Sequence, residues 1–154
     1  CAVARGPAVG VDVERLDRQT ERNAIASRYF TPSESTFVSE ADGEESHRRF
    51  ADLWTLKEAY LKAVGSGIAG GLQSCGFAFS EDHDLVFHAP PGVDAADWQF
   101  LLAEPRHGYR LAVAICDLDP GPRRRTWRVA LHDTSPDPDA PAVLLRWSSA
   151  GAPA

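Results

Sequence analysis

Two pairs of charged residues in this sequence could carry chemistry, and the first is Asp12 with Glu14. They lie in "AVGVDVE", where valines alternate with other residues and predict a strand. Because residues two apart on a strand project from the same face, the two carboxylates would lie side by side. Such a pair suits Mg²⁺, which binds carboxylate oxygens together with substrate phosphates. A solvated strand face without any ligand fits the same pattern, and both interpretations stay open at this point.

The second pair is Glu58 with Lys62 in "WTLKEAYLKAVGSG". An apolar stripe at helical spacing predicts a long helix over about 46–65, and glycines end it. Glu58 and Lys62 are four residues apart, so they share one face of this helix, away from the stripe. They could bind one ligand together, or form an exposed ion pair worth only about 0.3–0.5 kcal/mol. The stripe comprises Leu53, Leu56, Tyr60, Ala63 and Val64.

The elements before this helix are predicted from turn and capping signals. The segment "CAVA" and the later strand are joined by the turn "RGP". A helix follows in "TERNAIASRYF", with Thr20 as its N-cap. A second short helix starts at Pro32, and the polar run "DGEESHRRF" predicts a loop.

Short β segments separated by turn signals follow the long helix, and they are "GFAFS", "DLVFHA", "WQFLLAE" and "YRLAVAICD". Helices followed by antiparallel strands indicate an α+β fold. We assign residues 1–118 to one domain and 119–154 to a C-terminal extension. In that extension "TWRVALHD" and "AVLLRWS" can add two strands before a frayed end.

Composition and motif searches exclude several classes of function. A net charge of −6 argues against a broad nucleic-acid surface, and no apolar run approaches the roughly 18 residues of a membrane span. The three cysteines have neither disulfide nor zinc spacing, so we expect buried thiols in a reducing compartment, the cytoplasm. The glycines of "GSGIAGG" follow a helix instead of preceding one, so they indicate capping and not a phosphate-binding loop.

Taken together, "VGVDVERL" and, about 40 residues later, "WTLKEAYLKAVGSG" resemble the 4′-phosphopantetheinyl transferase superfamily. The family pattern is G-x-D-x-E followed by W-x-x-K-E-x-x-x-K-x-x-G-x-G, and every fixed position is present. The D-x-E spacing and Trp54 resemble the large, single-chain (Sfp-type) branch, and within it the C-terminal half. The resemblance implies one α+β half domain in which an antiparallel sheet packs against a long helix.

The resemblance also implies an activity and a role for each matched residue. Such enzymes move 4′-phosphopantetheine from coenzyme A to a serine of an apo acyl or peptidyl carrier protein, with Mg²⁺, and release 3′,5′-ADP. Lys62 matches the lysine that contacts coenzyme A phosphates, and Lys57 is expected beside it in coenzyme A binding. Glu34 matches a glutamate proposed as general base, with water as the alternative base. The family's Mg²⁺ ligands correspond here to Asp12, Glu14 and Glu58.

The sequence departs from the large branch in having no first half, the part that holds the coenzyme A nucleotide. It begins with "CAVARG" and contains no Met, so we expect a piece of a longer protein or a processed product. Two copies that pair could substitute for the missing half. The alternative function is a non-catalytic half that binds metal or coenzyme A, or docks a carrier protein, without turnover. Carriers of fatty-acid, polyketide, nonribosomal-peptide and siderophore systems all remain open.

Overall fold

The chain order is one strand, three helices and five further strands in a computed structural model. The structure describes residues 2, 6–16, 21–67, 71–80, 84–117, 129 and 143–148, the last range for its backbone only. The elements are β1 (Ala8–Arg15), α1 (Arg22–Tyr29), α2 (Pro32–Ser39), α3 (Gly43–Val64), β2 (Gly76–Phe79), β3 (Leu85–His88), β4 (Trp98–Glu104), β5 (Tyr109–Cys116) and β6 (Val143–Ser148).

The main sheet has the strand order β1-β5-β4-β6, and each neighbouring pair is antiparallel. The strands β2 and β3 form a separate antiparallel pair. The predicted antiparallel α+β fold is therefore confirmed. The strand β6 comes from the C-terminal extension and pairs with β4, with a register shift between Leu102 and Ala103. The "TWRVALHD" strand prediction lies almost entirely outside the described residues, as does "CAVA".

Helix α3 packs across the inner face of the sheet, and Gly10 of β1 permits a close approach. A Cβ atom at Gly10 would overlap the carbonyl oxygen of Ala59 and lie 2.5 Å from the backbone nitrogen of Ala63. Only a residue without a side chain fits this contact. Because residues two apart on a strand share a face, Asp12 and Glu14 also project toward α3.

Aromatic and aliphatic side chains fill the space between α3 and the sheet. Leu53 and Leu56 are fully buried, and Tyr60 lies 4.7 Å, ring centre to ring centre, from Trp98. The cysteines Cys75 and Cys116 are free and buried, as predicted, whereas Cys1 lies outside the described residues. Burial raises the pKa of the Cys75 thiol to about 11, which keeps it protonated at neutral pH.

Three local predictions were wrong. The run "DGEESHRRF" is not a loop, because α3 begins at Gly43 and its polar first turns lie largely at the surface. Val64 belongs to the last turn of α3, and it is half exposed instead of buried with the apolar stripe. Helix α1 begins at Arg22 with Glu21 as its N-cap, one position later than predicted, and Thr20 lies outside the described residues.

Candidate active site

Lysine and carboxylate groups of α3 and β1 meet at one place on the inner face of the sheet. Lys62 donates from Nζ to Oδ1 of Asp12 over 2.6 Å, joining the last turn of α3 to β1. The Lys62 side chain is 47% exposed and that of Asp12 is 10% exposed. Within the described residues, Lys62 therefore pairs with Asp12 across two elements and not with Glu58 along its own helix. The ammonium group stays accessible to a ligand.

Glu58 lies beside this pair in an environment that disfavours its charge. Burial raises the pKa of Glu58 above its usual range, the carboxylates of Asp12 and Glu14 raise it further, and Lys62 opposes them. The three acids predicted from the sequence are thus close enough to repel one another. This repulsion is what a bound cation would relieve.

Two buried carboxylate oxygens in this group lack a hydrogen-bond partner among the described residues. They are Oδ2 of Asp12 and Oε1 of Glu58. A buried polar atom left without a partner costs roughly 1–3 kcal/mol, so native structures rarely keep one without a reason. Carboxylate oxygens are the ligands that Mg²⁺ prefers. These two atoms therefore fit a hard cation.

The side-chain positions stop short of a complete metal centre. In the part of the chain that the structure describes, no three His, Cys, Asp or Glu side chains converge closely enough to hold a metal ion. Asp12 already shares one oxygen with Lys62, and the charge of Glu14 acts on Glu58. The chemistry of the donors fits Mg²⁺, and the assignment of all three acids as ligands remains a prediction.

A cavity of about 250 Å³ opens beside Glu14, between the end of β1, α1 and α3. One wall is apolar: Trp54 stacks on Phe50 with ring centres 5.7 Å apart, and Phe50 stacks on Phe30 at 5.3 Å. Arg22 and His47 contact each other through side-chain nitrogens and both line the cavity. The sequence prediction missed these two residues, because scattered single charges in polar segments carry no motif. The lining comprises Glu14, Arg15, Leu16, Arg22, Ile25, His47, Phe50, Ala51 and Trp54.

Glu34 lies apart from this acidic group and is only 2% exposed. Its Oε2 accepts hydrogen bonds of 2.8 Å from the backbone nitrogen and from the hydroxyl of Thr31, which caps α2. Its Oε1 accepts one of 2.8 Å from the backbone nitrogen of Phe77. These contacts anchor the start of α2 to β2. The proposed role of Glu34 as a base stays a prediction, and its contacts favour a structural role.

Lys57 is fully buried and likewise separate from the acidic group. Its Nζ donates to the carbonyl oxygens of Leu72 and Cys75 at 2.7 and 2.5 Å, and it lies 2.9 Å from Oε2 of Glu34. All three protons of the ammonium group therefore have an acceptor. No donor remains for a ligand in this conformation, so the expectation that Lys57 binds coenzyme A gains no support from the geometry.

A comparison with known families shows which family the chain belongs to. The sequence profile described as the 4′-phosphopantetheinyl transferase superfamily matches residues 8–114, the stretch from β1 nearly to the end of β5. The chain belongs to this superfamily. The matched range contains every predicted site residue, and it ends before β6.

Individual relatives of the superfamily agree with this assignment. The 4′-phosphopantetheinyl transferase HetI from a Nostoc species is 31% identical over 115 residues, which are 75% of this chain and 46% of HetI. The chain spans about half the length of the curated relatives it matches.

Solved structures of holo-[acyl-carrier-protein] synthases share the fold. The Neisseria meningitidis enzyme superposes with a TM-score of 0.57 at 23% identity, covering 71% of this chain and 96% of that one. The Helicobacter pylori enzyme, solved in complex with coenzyme A, gives 0.55 at 19% identity, covering 70% and 98%. Among the described residues, no helix is long and apolar enough to cross a membrane.

Proposed function

We propose that this chain carries the metal-binding half of a phosphopantetheinyl transferase that acts on a carrier-protein serine. The serine oxygen forms a bond to the phosphorus that bears the pantetheine arm. The pyrophosphate bond of coenzyme A breaks, 3′,5′-ADP leaves, and the serine proton passes to a base.

The observation that supports it best is that Asp12 and Glu58 each have a buried oxygen without a partner in the described part of the chain, beside the accessible ammonium of Lys62. A pyrophosphate is strongly anionic, and three clustered acids would repel it without a cation. Bound Mg²⁺ would supply charge neutralisation for the pyrophosphate. The acids would hold the cation, and Asp12, Glu14 and Glu58 are the residues we propose for this role.

Lys62 is suited to bind a phosphate oxygen of coenzyme A. Its side chain is half exposed, and its present partner Asp12 competes with water for the same ammonium. Because the Lys62 end of this pair is half exposed, solvent weakens the ion pair, and we expect the ammonium to exchange Asp12 for a phosphate at low cost. In that position Lys62 stabilises negative charge that develops on the leaving diphosphate.

The cavity beside Glu14 fits the uncharged part of the substrate. The pantetheine arm is an alkyl chain interrupted by amides, and it needs an apolar wall with a few polar groups at the rim. Phe50 and Trp54 supply the wall, and Arg22 and His47 supply polar groups. Because Glu14 lines the same cavity, an arm bound there would end next to the acidic group.

Removal of the serine proton needs a base, and Glu34 is one candidate. Glu34 could act as the base only after releasing hydrogen bonds to Thr31 and Phe77 and the ion pair with Lys57. A water molecule is the alternative base. Substituting Glu34 would disturb the capping of α2 as well, so a loss of activity there would not identify the base by itself.

The test is intact-protein mass spectrometry of an apo carrier protein incubated with this chain, coenzyme A and Mg²⁺. We expect a mass gain equal to one phosphopantetheine group, abolished by EDTA and by Glu58→Gln. A gain that persists in EDTA would contradict the proposed cation site. A gain that persists in Glu58→Gln would remove Glu58 from it.

A second candidate follows from the chain spanning about half the length of its relatives. A half of this kind could bind coenzyme A or dock a carrier protein without turnover, or could act only when paired with a second copy. Coenzyme A binding without any mass gain on the carrier would favour the non-catalytic half. Activity that rises with the square of chain concentration would favour self-pairing.

A further inference from the structure

We propose that Arg110 is a positioning residue for Glu14, holding the strand end that presents this carboxylate to the cation. The inference rests on the proposed function, because it assumes that Asp12, Glu14 and Glu58 bind a divalent cation. Nothing in the sequence motifs points to Arg110. Its place follows from strand register, burial and the partners of its guanidinium group.

Strand register puts Arg110 directly opposite Glu14. The strands β1 and β5 pair antiparallel, with Glu14 beside Arg110 and Asp12 beside Ala112. Residues directly opposite each other in such a pair project from the same face, with Cβ atoms about 4.5–5.5 Å apart. Arg110 is therefore the cross-strand neighbour of Glu14 on the face that meets α3.

The guanidinium group of Arg110 is fixed from two other elements. Its Nε donates to Oδ1 of Asp52 on α3 over 2.6 Å, and its Nη1 donates to Oε2 of Glu104 on β4 over 2.9 Å. The Arg110 side chain is only 3% exposed. Charge-assisted bonds of this length, shielded from water, hold a side chain in one orientation. Arg110 thus ties β5, β4 and α3 together at the level of Glu14.

A buried ion network of this kind can hold a helix and strands in one arrangement without adding net stability. Replacing a buried ion pair by apolar residues of similar size is often neutral or stabilising, because desolvation offsets the attraction of the charges. Here the buried guanidinium of Arg110 lies at the end of the sheet where Glu14, Asp52 and Glu104 are close together. Glu14 lines the cavity together with Ala51, the neighbour of Asp52 in α3, so the ion network and the proposed site adjoin.

Two effects of Arg110 on cation binding have opposite signs, which makes the inference testable. A buried positive charge near the site repels a divalent cation, so its removal by itself would tighten binding. Loss of orientation at a ligand would weaken binding, and residues that orient metal ligands typically contribute 10- to 100-fold in affinity. We expect the loss of orientation to dominate.

The experiment measures Mn²⁺ affinity by electron paramagnetic resonance, with Mn²⁺ as the probe for the Mg²⁺ site. Arg110→Gln is made together with Asp52→Asn, so that no unpaired charge is left on α3, and Asp52→Asn alone is the reference. We expect the double variant to bind Mn²⁺ about 10-fold more weakly than the reference. Arg110→Lys keeps the charge but loses the planar fork, and it should give an intermediate affinity.

Unchanged or tighter Mn²⁺ binding in the double variant overturns the positioning role. Arg110→Lys, which alters the fold least, decides the matter if the double variant does not fold: wild-type affinity in this variant also overturns the role. Glu58→Gln measured in parallel separates this failure from that of the proposed function. If Glu58→Gln leaves Mn²⁺ affinity unchanged, the cation site itself is wrong and the role of Arg110 falls with it.

Discussion

Two lysines of one helical motif, Lys57 and Lys62, each pair with a carboxylate, and the two pairs differ in almost every respect. Lys57 and Glu34 are 0% and 1% exposed, whereas Lys62 and Asp12 are 47% and 10% exposed. Glu34 and Lys57 also bind backbone groups of the chain around them. In the second pair, one oxygen of Asp12 has no partner within the described residues.

This difference indicates that Lys57 with Glu34 belongs to the structural scaffold, whereas Lys62 with Asp12 belongs to the proposed site. A buried ion pair is tolerated only when hydrogen bonds satisfy its remaining groups, and Glu34–Lys57 meets that condition. It connects the start of α2 and the chain between α3 and β2. In the group of Asp12, Lys62 and Glu58, two carboxylate oxygens lack a partner among the described residues, so they remain as acceptors for a ligand.

We expect the buried pair Lys57–Glu34 to contribute strongly to the free energy of unfolding. Lys57→Met leaves Glu34 buried without its counter-charge, and breaking a buried pair in this way costs about 3–5 kcal/mol in the free energy of unfolding. Lys62→Met is the matched control and should cost at most about 1 kcal/mol, because that pair is partly exposed. Urea denaturation measures both. Equal losses for the two lysines would contradict the distinction between scaffold and site.

We expect the acidic group of Asp12, Glu14 and Glu58 to be needed for activity. Glu58→Gln keeps size and hydrogen-bonding capacity but removes a carboxylate that we assign to the cation. We expect carrier-protein modification to fall by about 100-fold or more, the size typical for loss of a transition-state electrostatic group. Far-UV circular dichroism should stay unchanged. Wild-type turnover by a folded Glu58→Gln protein would exclude this residue from the site.

The approach of β1 to α3 should matter to the site pair and not to the buried pair. Gly10→Ala forces a methyl group into the backbone of Ala59 and Ala63, and such overpacking costs about 1–3 kcal/mol. It should also reduce activity, because Asp12 is two residues away. Gly76→Ala is the control, since its Cβ would meet only ordinary contacts, the nearest atom being Cγ2 of Thr31 at 3.5 Å. Thermal melting and the transfer assay should both show a larger loss for Gly10→Ala than for Gly76→Ala.

Lys62 should contribute to coenzyme A affinity more modestly. Lys62→Gln removes the charge offered to phosphate, and we expect affinity to fall by about 10-fold, equivalent to about 1.4 kcal/mol. Lys62→Arg should retain most of the affinity because the charge stays. Calorimetric titration in the presence of Mg²⁺ measures both. The same affinity in wild type and Lys62→Gln would remove the phosphate role.

Periodicity predicted the parts of the fold that depend on local pattern. The valine alternation of β1, the four turn-bounded strands after α3 and, apart from Val64, the apolar stripe of α3 lie where expected. The error at residues 43–50 has a simple cause. The first turns of α3 present Glu44, Glu45, Arg48 and neighbouring residues at the surface, so their polarity resembles that of a loop.

The site was only partly predictable, because its groups differ in how they are brought together. Asp12 and Glu58 belong to the two family motifs, and strand and helix periodicity predict the face from which each side chain projects. The burial of Lys57 depends on carbonyl groups 15 and 18 residues away, and that of Arg110 on Asp52, 58 residues away. Such pairings follow from tertiary packing, which a single sequence does not reveal. Arg22 and His47 escaped prediction for the same reason.

Calorimetric titration of coenzyme A into this chain with and without Mg²⁺, for the wild type and Glu58→Gln, tests the cation site most directly. We expect Mg²⁺ to strengthen coenzyme A binding in the wild type and Glu58→Gln to abolish this gain. Equal coenzyme A affinity with and without Mg²⁺ in the wild type would contradict the assignment of the acids on β1 and α3 to a cation site.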